Sequence, residues 1–224
     1  MDLRKSYEFF KPEMLGTSRV HIIGCGAVGS TIAENLARFG ITNMTLWDFD
    51  IVEAHNVANQ MFRGIDIGKP KVEALAEMLA EINPDIKRDL KLMPEGWHGQ
   101  RLSGYVFLAV DSIDLRREIA EKFKGSPYIK AMFDFRMALE DGQHYAADWQ
   151  DSKMVESFLA TMDFTHEEAQ AQETLSACNV AMSVVPTVRT IVSLGVSNFV
   201  NFAKGLPLKK MILANAFDFG VMAF

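Results

Sequence analysis

Cysteine is nearly absent: Cys25 and Cys178 are the two in 224 residues, and neither belongs to a C-x-x-C pair. A disulfide framework and a four-cysteine zinc site are therefore excluded, and a reducing, cytoplasmic compartment is expected. Positive charge is not in excess either, since 23 Lys and Arg face 29 Asp and Glu for a net charge of −6. Such a surface repels phosphate backbones, so nucleic acid is not the expected partner. No apolar run is long and clean enough for a lipid-facing span, because the most apolar stretch, residues 180–202, is interrupted by Pro186, Arg189, Asn198 and Asn201. Membrane is not an expected partner. The opening MDLRKSYEFFKPEM scatters charges among its aromatics and lacks the apolar core of a secretory signal. Internal repeats and low-complexity tracts are missing, and His21, His55, His98, His144 and His166 are dispersed without metal-ligand spacing.

What remains is an ordinary globular composition, 49% hydrophobic and 23% charged, enough to bury a real core. At about 150 residues per domain the length predicts one large unit over residues 1–224. The expectation is a nucleotide-binding core at 1–135 followed by a hairpin, a crossover segment, a long helix and terminal strands at 136–224. Residues 20–23 form a short apolar run bounded by glycine, and Val28, Ile32, Leu36 and Phe39 recur at helical spacing over 27–39. Strands are then predicted at 43–47, 86–93, 105–110 and 128–133, with helices at 72–82 and 115–123. This alternation predicts an α/β, Rossmann-like, mainly parallel sheet with flanking helices. Asp141-Gly142 reads as the turn of an antiparallel hairpin within 136–147. Residues 154–172 read as an acidic, partly helical segment or crossover, with Thr165 and Glu168 at capping-box spacing. Residues 180–203 read as one helix kinked at Pro186, and 211–224 as a strand-like C-terminal extension with exposed aromatics.

The densest chemical signal is HIIGCGAVGS, in which Gly24, Gly26 and Gly29 are spaced G-x-G-x-x-G between a strand and a helix. Glycines there permit a tight turn and close backbone approach, and the helix N-terminus offers unpaired N–H groups to a phosphate. The motif alone serves NAD, FAD or ATP equally. Asp48 and Asp50 follow the second strand about 20 residues on, where an acidic side chain meets a ribose. Asp111 ends a later strand, so the same carboxyl edge of the sheet gathers all of these groups.

Reading on, Asn56 and Gln60 lie in NVANQ, Lys71 in GKPKV, Asn83-Pro84 follows, and Asp111 stands in AVDS. The order of glycine loop, DFD, NVANQ, GKPKV, NP and AVDS resembles the ThiF/MoeB superfamily over roughly residues 18–117. That superfamily, which includes the ubiquitin-activating enzymes, adenylates the C-terminal carboxylate of ubiquitin-like proteins. The resemblance implies ATP and Mg²⁺ as cofactors, with Lys71 on the phosphates, Asp111 on the metal, and Asn56 and Gln60 orienting triphosphate or carboxylate. It also implies a ubiquitin-like or sulfur-carrier partner with a glycine-rich C-terminus, and a homodimer.

Three departures stand out. Asn59 occupies the arginine position of the family's N-x-x-R-Q, replacing a charged fork by a neutral amide, and Arg63 is the nearby substitute. No N-terminal arginine motif is visible, Arg4 and Lys5 being the cations there. Ala27 takes the place of a further loop glycine. In members that pass the acyl group onward as a thioester a thiolate is needed; Cys178, ahead of a helix, is the candidate, against the alternative of a small buried hydrophobe. A nicotinamide- or flavin-dependent oxidoreductase and a catalytically weak nucleotide-binding scaffold stay open beside the adenylating enzyme.

Overall fold

The computed structural model describes residues 1–165, 167–168 and 182–224. Strand β1 (Val20–Ile23) is buried at every position, His21 included, as an interior parallel strand is. It lies between β2 (Met44–Trp47) and β4 (Gly104–Leu108), parallel to both. β3 (Lys91–Met93) extends one side and β5 (Ile129–Met137) the other, again in parallel. From there the sheet turns antiparallel through β6 (Asp141–Asp148), β7 (Met211–Asn215) and β8 (Gly220–Ala223), giving the order β3-β2-β1-β4-β5-β6-β7-β8. The strand order reverses between β1 and β4, and a ligand crevice opens where it does so in sheets of this class.

Helices cover both faces. One core packs α1 (Ala27–Arg38), α2 (Lys71–Ile82) and α5 (Val185–Ala203) against Ile22, Leu46, Phe107, Phe133 and Phe135. The other packs α3 (Ile113–Lys122) and α4 (Ser152–Ala160) against Ile23, Trp47, Val106, Leu108 and Met132. Successive strand residues thus feed opposite cores.

Several local expectations are corrected. Residues 86–93 do not form one strand: Asn83 Oδ1 accepts from Asp85 N, a 3₁₀ turn occupies Pro84–Arg88, and only Lys91–Met93 pairs with β2. Asp141-Gly142 is not the hairpin turn but the start of β6, with Met137 opposite Gly142 and the turn closed by Ala138 N donating to Asp141 O. Gly142 is needed for another reason: a Cβ there would sit 2.6 Å from Ile191 Cβ on α5. Pro186 kinks nothing, because it stands in the first turn of α5, where its missing N–H costs no hydrogen bond. The Thr165–Glu168 box is formed, Glu168 N donating to Thr165 Oγ1 at 3.1 Å and Thr165 N to Glu168 Oε2 at 2.7 Å. At the C-terminal hairpin Phe217, Phe219 and Phe224 are exposed, as the sequence suggested.

Candidate nucleotide site at the sheet's carboxyl edge

A cavity of about 890 Å³ opens at the reversal of strand order. Its floor is the loop from β1 to α1. Gly24 has φ +93° and a Cβ on it would lie 2.6 Å from Ala109 O, so the turn crosses the end of β4 too closely for a side chain. A Cβ on Gly29 would lie 1.8 Å from Gly24 O, so the glycine lets α1 press onto its own loop. Gly26, the N-cap of α1, differs: a Cβ there would meet nothing within 4 Å, and the residue lines the cavity with Ala27 and Val28. The first-turn N–H groups of α1 thus border open space, the arrangement that receives an anion.

Three carboxylates reach this space from two strand ends. Asp48, after β2, accepts from Cys25 N at 2.6 Å and Asp50 N at 2.9 Å, which ties the second strand's end to the glycine loop. Burial pushes the Asp48 carboxyl above its ordinary range, opposed by those two backbone bonds. Asp50 binds Lys71 Nζ at 2.7 Å, and Lys71, the first residue of α2, is 8% exposed. Asp111, after β4, is exposed, and its Oδ1 accepts from Ser112 N at 2.8 Å. Asp48, Asp50, Lys71, Asp111 and Gln60 all line the cavity.

The remaining candidates divide. Gln60 Oε1 is buried with no hydrogen-bond partner among the described residues, an acceptor without a donor. Asn56 borders a smaller neighbouring pocket beside Asp50 and Lys71, and its Oδ1 accepts from Glu53 N. Asn59 donates to Ser183 Oγ at 3.0 Å, fastening its loop to the residues before α5. Arg63, the substitute for the cation missing at position 59, is not at the cavity. Asp66 and Glu81 hold it, both at 2.9 Å, and its guanidinium keeps Asp66 down to about 2. Cys25 is buried in the loop with its thiol pushed well above its ordinary value by burial. Cys178 lies outside the described residues.

The far wall contains what the sequence reading missed. Asp134 is fully buried and binds Arg116 and, at 2.7 Å, Arg136 Nε. Arg116 also donates to Val110 O and Phe135 O, so one guanidinium ties the strand end that carries Asp111 to β5. Arg136 lies 4.5 Å from the Tyr145 ring centroid and donates to Thr161 O. Arg116, Arg136, Tyr145, Thr161 and Phe164 line this end, while Trp97 and His98 line the side near Phe49. An Asp and an Arg inside the otherwise apolar AMFDFRM were the available signal, because a charge in a buried strand needs a partner.

The residues fit a magnesium-loaded nucleotide. Among the described residues no group of three His, Cys, Asp or Glu can form a closed metal cage. Magnesium is commonly held by one or two carboxylates together with substrate phosphates, and Asp111 is such a carboxylate at the cavity. No helix among the described residues is long and apolar enough to cross a membrane.

Comparison with known proteins agrees with this geometry. The ThiF family profile matches residues 11–221. Ubiquitin-like modifier-activating enzyme 5 of Arabidopsis thaliana is 46% identical over 67 residues, which is 30% of this chain and 16% of that protein. Molybdopterin-synthase adenylyltransferase of Escherichia coli K12 is 39% identical over 83 residues, 37% of this chain and 33% of that one. The similarity therefore spans a third or less of these relatives. Among solved structures, E. coli MccB superposes with a TM-score of 0.73 at 16% identity, covering 95% of this chain and 63% of MccB. PaaA gives 0.69 at 18% identity, covering 100% and 68%. At such identities the structures speak for the fold alone.

Proposed function

The chain belongs to the ThiF family, and from that premise we propose that it adenylates the C-terminal carboxylate of a ubiquitin-like or sulfur-carrier protein, using ATP and releasing pyrophosphate. The observation that carries the proposal is the meeting, in one cavity, of the open Gly26 position, the Asp50–Lys71 pair and Asp111. A hydride-transfer enzyme needs the glycine loop and the ribose carboxylate but has no use for a lysine and a further carboxylate beside the phosphates. The curated relatives are named for adenylation and for activation of a ubiquitin-like modifier, which supports the same choice.

In this reaction an oxygen of the partner's carboxylate attacks the α-phosphorus, the bond to the bridging oxygen breaks, and pyrophosphate departs with the electron pair. Two anions must approach each other, so the protein's task is to place donors and cations where charge gathers. The α1 N–H groups beyond Gly26 receive phosphate oxygens. Asp48 accepts from the ribose hydroxyls. Lys71, held by Asp50, supplies a positive charge at a fixed place. Magnesium, when bound, neutralises phosphate charge, and Asp111 is the carboxylate that holds it. The incoming tail enters along the wall of Arg136, Tyr145 and Phe164, where glycines let it pass close to the backbone. Cys178 belongs to the proposal as the thiol of an onward step, in which its sulfur attacks the acyl carbon and AMP leaves.

ATP–pyrophosphate exchange stimulated by candidate carrier proteins tests this. Exchange is expected with the wild type and a reduction of more than about 100-fold with Asp111→Asn. Full exchange in that variant would remove Asp111 from the metal role, and ATP binding without exchange across a broad carrier set would favour a scaffold. A dithiothreitol-sensitive carrier adduct that is absent in Cys178→Ala would support the thioester step.

A further inference from the structure

The cavity as described carries no excess of positive charge. Lys71, Arg116 and Arg136 are offset by Asp50 and Asp134, while Asp48 and Asp111 add negative charge. A triphosphate and a carboxylate must nevertheless be drawn into it. Arg189, on the second turn of α5, is a cation with no acidic partner among the described residues. Its Nη1 donates to Thr31 Oγ1 at 3.1 Å and its Nη2 contacts Met61 Sδ at 2.7 Å. A hydroxyl and a thioether are neutral partners, and the thioether is a weak acceptor.

Both contacts lead to the cavity wall. Thr31 Oγ1 donates to Ala27 O at 2.8 Å, and Ala27 lines the cavity one turn earlier on α1. Met61 follows Gln60, whose Oε1 is the buried acceptor without a donor. Met61 N donates to Ser30 Oγ at 3.2 Å, and Asn59 is fastened to Ser183. The segment 59–61 is thus pinned to α1, to α5 and to the residues before α5, with Arg189 at the crossing. The guanidinium sits beside the second turn of α1, at Thr31.

We infer that Arg189 is a positioning residue for the phosphate-binding end of the cavity: it seats Gln60 and supplies, from α5, the positive field that Asn59 does not provide. This rests on the nucleotide reading above, and the test keeps the two apart.

The experiment compares thermal unfolding of wild type, Arg189→Met and Arg189→Lys, each with and without Mg-ATP. Without nucleotide, Arg189→Met is expected to melt at or above the wild-type temperature, because a charge with no acidic partner among the described residues has been removed. With Mg-ATP its stabilisation is expected to shrink, corresponding to an affinity about 10-fold lower, while Arg189→Lys recovers part of the shift. Exchange assays should show the loss in KM for ATP more than in kcat. A merely structural arginine would lower the nucleotide-free melting temperature and leave the ligand shift intact, which overturns the inference. An equal Mg-ATP shift in wild type and Arg189→Met overturns it as well. No shift in the wild type would instead defeat the nucleotide reading itself.

Discussion

Adding one methyl group to the glycine loop at either of two places should separate folding from binding. At Gly29 the new Cβ would lie 1.8 Å from Gly24 O and 3.3 Å from Ile22 Cγ2. The nearer atom is backbone, so α1 must move away from the loop. Forcing a methyl into such a contact costs about 3 kcal/mol, at the upper end of ordinary overpacking, which for a chain of this size lowers Tm by about 6–12 °C. At Gly26 nothing lies within 4 Å of such a Cβ, and φ is −73°. With no clash to relieve, Gly26→Ala should therefore melt well above Gly29→Ala. Yet its methyl occupies the space beside the α1 N–H groups where a phosphate must come. Mg-ATP at about 100 times its Kd stabilises a binding-competent protein by about 2.7 kcal/mol, and Gly26→Ala should lose most of that. Differential scanning fluorimetry with and without Mg-ATP reads both effects. Equal melting temperatures for the two variants, or a full nucleotide shift in Gly26→Ala, would refute the assignment of the loop.

Asp134→Asn leaves Arg116 buried with its charge uncompensated, so a loss of about 3–5 kcal/mol is expected by denaturant titration; a change under 1 kcal/mol would mean that Asp134 is not what balances the buried guanidinium. Burial lowers both His21 and His144 to about 4. A folded pKa below the unfolded value of about 6.5 stabilises the protein fully above that pH and is lost as pH falls toward 4, because the unfolded chain takes up the protons first. Unfolding free energy should therefore drop between pH 6.5 and 4.5, with a shallower slope in His144→Gln; an unchanged slope contradicts the buried neutral histidine.

The βαβ core was legible because each of its pieces carries its own punctuation: buried apolar strands, a glycine loop, helical spacing in α1 and α2, and acids at the strand ends. Residues after Phe135 were harder, since the same residue type there answers to packing instead of turn chemistry. Gly142 is a glycine because Ile191 crosses it, and Pro186 begins a helix whose preceding residues had looked continuous with it. For the site, order along the chain singles out Gly24, Gly26, Asp48, Asp50, Lys71, Gln60 and Asp111, and all of them line one cavity, while Gly29 packs α1 onto the loop behind it. Arg63 was not legible, because its capture by Asp66 and Glu81 depends on a 3₁₀ turn and on α2. Arg116, Arg136 and Asp134 come from elements whose convergence only the sheet order reveals, and Arg189 reaches α1 from more than 150 residues away.

Equilibrium titration of the purified protein with Mg-ATP and, separately, with NADH bears most directly on the central claim. The account predicts saturable Mg-ATP binding that weakens in Asp111→Asn and in Gly26→Ala, with no competing NADH binding. Tight NADH binding that Mg-ATP does not displace would contradict it.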